Sequence, residues 1–104
     1  MDGFNVQITE SAENDLRDIV RYISFQLNAP TTALSMMQTM KESIAKLKTG
    51  PLLRPLARDN RLAAEGYRLL VIKNYIAFYT VNEKEKVVFV ERILYRHRDW
   101  INIL

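Results

Sequence analysis

Apolar residues recur with period two at the start of the chain and over its last third, and with helical spacing between. Phe4, Val6 and Ile8 alternate with Asn5 and Gln7, the pattern of a strand with one buried face. Thr9 or Ser11 then offers an N-cap oxygen, and Glu10, Glu13 and Asp15 suit the positive end of a helix dipole. Ala12, Leu16, Ile19, Val20 and Ile23 recur at helical spacing, with Leu27 extending the stripe. Asn28-Ala29-Pro30 breaks it, since proline lacks the amide proton and restrains the residue before it.

Thr31 is the expected cap of a second helix. Leu34, Met37, Met40, Ile44 and Leu47 form its stripe, and Gly50-Pro51 ends it. Core packing is the leading role for Met36, Met37 and Met40, with a partner interface as the alternative for the first two. The joint between the helices is short, so they should form an antiparallel hairpin. Residues 50–65 read as a loop, with one helical turn near Arg61–Glu65. Strands are predicted over about 67–73, 75–81 and 86–95. Asn74 bends or ends the first, and Asn82-Glu83-Lys84-Glu85 is the turn of a hairpin between the last two. Val87, Phe89 and Ile93 alternate with Val88, Val90 and Leu94, so both faces of the last strand are apolar, as in a central strand. The tail 99–104 reads as a short helix or a strand end.

The predicted order is β-α-α-β-β-β, an α+β fold with a helical hairpin on one face of a mostly antiparallel sheet. The other face is expected to stay partly open. At 104 residues the chain is read as one domain, 1–104, able to bury roughly two-thirds of its unfolded surface. It has no cysteine and no run approaching a membrane span, and its first residues do not resemble a signal peptide. A soluble cytoplasmic protein is the expectation.

Charge changes the picture. The net value is +3, but residues 41–73 hold eight Lys/Arg and three Asp/Glu, a local +5. Such asymmetry suggests a basic surface for a polyanion or an acidic partner, against the plainer reading of a solvated mixed surface. The three glycines lie far apart, which excludes a phosphate loop. One histidine and no cysteine argue against a structural zinc site or a histidine triad. No cofactor is expected.

The remaining chemistry lies at the end of the last strand, in Tyr95-Arg96-His97-Arg98-Asp99-Trp100. Guanidinium groups pair with phosphates and stack on bases, and a histidine exchanges a proton near neutral pH. The plainer reading is a solvated chain end with Trp100 in the core. Arg92, inside the strand, either forms a surface ion pair with Glu65 or Asp59 or helps hold an anion. Tyr75, Phe78 and Tyr79 are read as sheet packing, and Tyr67 as flanking the loop.

These residues resemble the RelE/ParE superfamily of type II toxin–antitoxin toxins, also called plasmid stabilisation proteins. The likeness runs through Glu13 to Ile23, Ile44-Ala45-Lys46-Leu47, Gly66-Tyr67-Arg68, Asn74 to Tyr79 and Val90 to Tyr95. The ending Arg92-Ile93-Leu94-Tyr95 with Arg98-Asp99 is its most specific piece. The resemblance implies a bacterial toxin that inhibits growth and is neutralised by a cognate antitoxin, which lays a helix or extended segment along it in a hetero-oligomer. RelE-like members are implied to cut mRNA on the ribosome, and ParE-like members to inhibit DNA gyrase without nuclease activity. RelE-like nucleases carry an arginine just after the position of Tyr75; here Ile76 stands there, and no C-terminal tyrosine follows. Losing that cation removes charge stabilisation at a scissile phosphate. The expectation is therefore a ParE-like, non-enzymatic inhibitor. Arg58, Arg61, Arg68, Arg92, Tyr95, Arg96, Arg98 and Trp100 are its candidate target- or antitoxin-binding residues. The alternatives are a ribosome-dependent endonuclease using Arg68, Arg92, Arg96 and His97, and a degenerate toxin that keeps only antitoxin binding.

Overall fold

The structure, a computed structural model, describes residues 3–104. Strand β1 (Asn5–Ile8) turns Val6 and Ile8 inward. Thr9 caps α1 (Glu10–Arg21), its hydroxyl accepting from the Ala12 amide at 3.1 Å. Past Arg21 the helix widens into a π-helical turn, Tyr22–Gln26, closed by the Leu27 amide on the Tyr22 carbonyl at 3.1 Å. A π turn holds an extra residue. Leu27 therefore falls out of phase with buried Ile23 and is 56% exposed, so it does not extend the stripe.

Helix α2 (Pro30–Ala45) begins at its proline, whose missing amide proton costs nothing in a first turn. Ala29 is the N-cap and makes no side-chain bond, so Thr31 is not the cap. The buried line of α2 is Ala33, Met40 and Ile44, continued by Leu47, while Leu34 faces outward. Gly50 takes a left-handed φ of 65°, and a Cβ there would stand 2.7 Å from the Leu53 side chain. Glycine adopts this left-handed turn into Pro51 without the strain a side chain would bring. A short helix, α3 (Asn60–Ala64), occupies the predicted helical turn, capped by Asp59.

Three strands follow, β2 (Arg68–Ile72), β3 (Tyr75–Asn82) and β4 (Val87–Tyr95). The sheet order is β1-β4-β3-β2, with β1 parallel to β4 and the other pairs antiparallel. The inner position of β4 agrees with its two apolar faces. A bulge sets Arg92 opposite Phe78 and Val90 opposite Tyr79, leaving Glu91 as the extra residue. Ile93 consequently joins Val88 and Val90 on the helix-covered face rather than alternating with them.

The main core lies between the helical hairpin and the sheet and holds Leu16, Met40, Ile44, Leu70, Tyr79 and Val90. The opposite face is less open than the sequence suggests. The tail forms α4 (Trp100–Ile103), and Trp100, Ile103 and Leu104 pack over Ile76, Phe78 and Leu94. Trp100 lies 5.2 Å from the Phe78 ring centroid.

Candidate functional site

The edge of β4 explains the place of Arg92. Strand β1 pairs only with Val87–Val90, so the rest of that edge would be bare. Side chains of α1 take over the pairing. Thr9 donates its hydroxyl to the Glu91 carbonyl at 2.9 Å. Asp15 accepts the Ile93 amide at 2.9 Å, and accepts Arg92 Nε at 2.7 Å and Nη2 at 3.0 Å. The partner of Arg92 is thus Asp15, not Glu65 or Asp59. The bidentate bond to Asp15 raises the Arg92 pKa above its ordinary value against the opposing effect of burial. Glu91, displaced by the bulge, accepts from the Thr80 hydroxyl at 2.9 Å.

Two more of the candidate arginines are committed to the chain itself. Arg68 donates to the carbonyls of Leu52 and Arg54, tying the loop to the start of β2. Arg61 pairs with Glu65 at 3.2 Å and donates to the carbonyls of Ile101 and Leu104 at 2.5 and 3.2 Å, holding α4 in place. Arg58 is exposed on the loop.

The terminal cluster divides. Trp100 turns into the second core, while Tyr95, Arg96, His97 and Arg98 stay exposed at the end of β4. A turn presents them: the Arg96 amide donates to the Asn74 carbonyl at 2.8 Å, and the Arg98 amide to the Tyr95 carbonyl at 3.0 Å. His97 meets the Tyr95 ring at 5.3 Å, and Tyr95 meets Tyr75 at 5.8 Å, both edge-on. Asp99 accepts from Asn102 at 2.7 Å and pairs with no arginine among the described residues.

Beside the cluster opens a cleft of about 630 Å³, between Asp18, Ile19 and Tyr22 of the α1 segment and Tyr75, Tyr95 and Arg98 of the sheet end. Burial raises the Tyr75 phenol above its ordinary 10.0, and the Tyr22 and Tyr95 phenols add to the shift. Sequence reasoning missed this cleft, because Tyr22 and Tyr75 meet only through the tertiary fold. Asp15 was missed as the Arg92 partner for the same reason.

The surface thus presents Arg96, His97 and Arg98 exposed beside the edge-on Tyr95 and Tyr75 rings. Among the described residues no three His, Asp or Glu side chains could hold a metal ion. No helix among them is long and apolar enough to cross a membrane.

The family model for the ParE toxin of type II toxin–antitoxin systems, parDE, matches residues 6–100. The chain belongs to this family. No curated protein matches it significantly. Among solved structures, the chromosomal ParDE toxin–antitoxin system of P. aeruginosa superposes with a TM-score of 0.74 at 22% identity, covering 91% of this chain and 98% of that one. The archaeal RelE–RelB complex of Pyrococcus horikoshii gives 0.59 at 16%, over 94% and 99% of the two chains. E. coli toxin RelE, as a mutant in the free state, gives 0.65 at 14%, over 97% and 92%. These likenesses extend the RelE/ParE fold to this ParE-family chain.

Proposed function

We propose that this ParE-family toxin arrests growth by inhibiting DNA gyrase through its exposed β4 end, and that a cognate antitoxin neutralises it. One observation carries the choice of target: the cations a nuclease would need do not gather into a free set. The position where the nuclease branch is expected to carry an arginine is Ile76, which is 7% exposed in the second core. Arg92 is bound by Asp15 and Arg68 by backbone carbonyls. Of the candidate nuclease residues, Arg96 and His97 remain exposed at the end of β4. A protein target needs only such a basic, aromatic surface, since arginine and tyrosine anchor interfaces well. The antitoxin reading is supported by the family and by structural neighbours that are toxin–antitoxin complexes.

The competing reading, ribosome-dependent mRNA cleavage, draws on the exposed Arg96 and His97 beside Tyr95. Primer extension on mRNA from induced cells separates the two. The gyrase reading expects no new cleavage sites. Cuts that disappear in Arg96→Ala would establish the nuclease instead. Induction without antitoxin should also stop growth, whereas undisturbed growth would mark a degenerate toxin.

A further inference from the structure

The cleft at the end of β4 carries two free charges of opposite sign on facing walls. Asp18 on the α1 wall and Arg98 on the sheet wall are both exposed. Neither side chain makes a hydrogen bond or an ion pair among the described residues. Asp15 also lines the cleft, but its carboxylate is closed by Arg92 and the Ile93 amide. An anion entering here gains Arg98 and meets Asp18, and a cation gains Asp18 and meets Arg98. A molecule that bears both charges satisfies both walls.

The rest of the lining is aromatic and aliphatic. Tyr22, Tyr75 and Tyr95 supply rings, with Ile19, Leu27 and Ile93 beside them. Tyr22 is 53% exposed and Tyr95 42%, so ring surface is open to a ligand. Tyr95 already meets Tyr75 edge-on at 5.8 Å, an arrangement that a further ring can extend. No lysine or arginine lies over the three rings among the described residues. The π turn begins at Tyr22, and such turns are rare and recur at functional sites. The volume, about 630 Å³, lies in the range of small-molecule sites, roughly 300–1,000 Å³.

We propose that this cleft binds a free aromatic α-amino acid, with its ammonium at Asp18, its carboxylate at Arg98 and its ring among Tyr22, Tyr75 and Tyr95. A nucleotide fits less well, because its phosphate brings close to two negative charges past Asp18. Tyr95 and Arg98 also belong to the surface proposed above to meet gyrase. Ligand binding is measured on the free chain, so its outcome does not depend on that reading.

The test titrates the isotope-labelled full chain with five small molecules and follows the backbone amide signals of Tyr22, Tyr75 and Tyr95. L-phenylalanine has the ring and both charges. Phenethylamine lacks the carboxylate, phenylpropionate lacks the ammonium, L-alanine lacks the ring, and adenosine monophosphate stands for the nucleotide. Phenylalanine should shift these signals at millimolar concentration and bind at least about tenfold tighter than any of the others, the worth of one charge-assisted contact. Asp18→Asn should reduce its affinity to about that of phenylpropionate, and Arg98→Gln to about that of phenethylamine. The melting temperature should not change in either variant, since neither side chain has a partner to lose. Absence of shifts with millimolar phenylalanine overturns the proposal, as do shifts confined to residues outside the cleft. Equal binding of phenethylamine would reduce the cleft to a cation cage, and equal binding of phenylpropionate to an anion site. Tighter binding of adenosine monophosphate would make it a nucleotide site, and equal binding of alanine would remove the ring from the recognition. Each of these results also contradicts the assignment.

Discussion

Asp15 and Arg92 lie 77 positions apart, yet one carboxylate closes a guanidinium and a backbone amide together. Asp15→Ala leaves Arg92 and the Ile93 amide unpaired in a part-buried site, and a loss of about 2–3 kcal/mol is expected in urea unfolding. A double-mutant cycle with Arg92→Ala should show coupling of at least ~1 kcal/mol, and strict additivity would contradict the clamp. The phenols give a second prediction. Burial raises Tyr67, Tyr75 and Tyr79 above their ordinary 10.0, and Tyr79 also donates to the Pro51 carbonyl at 2.7 Å. A raised folded pKa stabilises the fold fully below the unfolded value and loses that stability as pH rises through the folded one. Stability should therefore decline above about pH 10, more steeply than in Tyr75→Phe, as a thermal-melt series can show.

At the scale of elements, the C-terminal helix is short, and its hold comes from packing and from Arg61. Trp100→Ala should cost about 1–3 kcal/mol, less than a fully buried tryptophan because Trp100 is half-buried. Arg61→Ala should increase amide exchange in α4 and leave the main core protected. The strands, the helical hairpin and the inner place of β4 were legible in the sequence, because period and run length report burial directly. Partners were not. The parallel pairing of β1 with β4 joins residues about 82 apart, and nothing in a local pattern names so distant a neighbour. Leu27 was misplaced because a π turn shifts helical phase, and Ile93 because a bulge shifts strand phase.

At the scale of the molecule, charge and chemistry are divided between surfaces. Arg61, Arg68 and Arg92 maintain the fold, so their loss should lower stability before it lowers activity. Arg96 and Arg98 make no side-chain hydrogen bond or ion pair among the described residues, and their loss should do the reverse. The double variant Arg96→Ala, Arg98→Ala should weaken gyrase inhibition at least about tenfold, ~1.4 kcal/mol or more, with an unchanged melting temperature. Equal inhibition by the variant would move the target surface elsewhere. Antitoxin binding to the basic side of the chain should weaken as ionic strength rises. The most direct measurement of the central claim is a DNA supercoiling assay with purified gyrase and the purified toxin free of antitoxin. Inhibition at micromolar toxin, relieved by the antitoxin, is the predicted result. Undiminished supercoiling in the presence of toxin that arrests growth would contradict it.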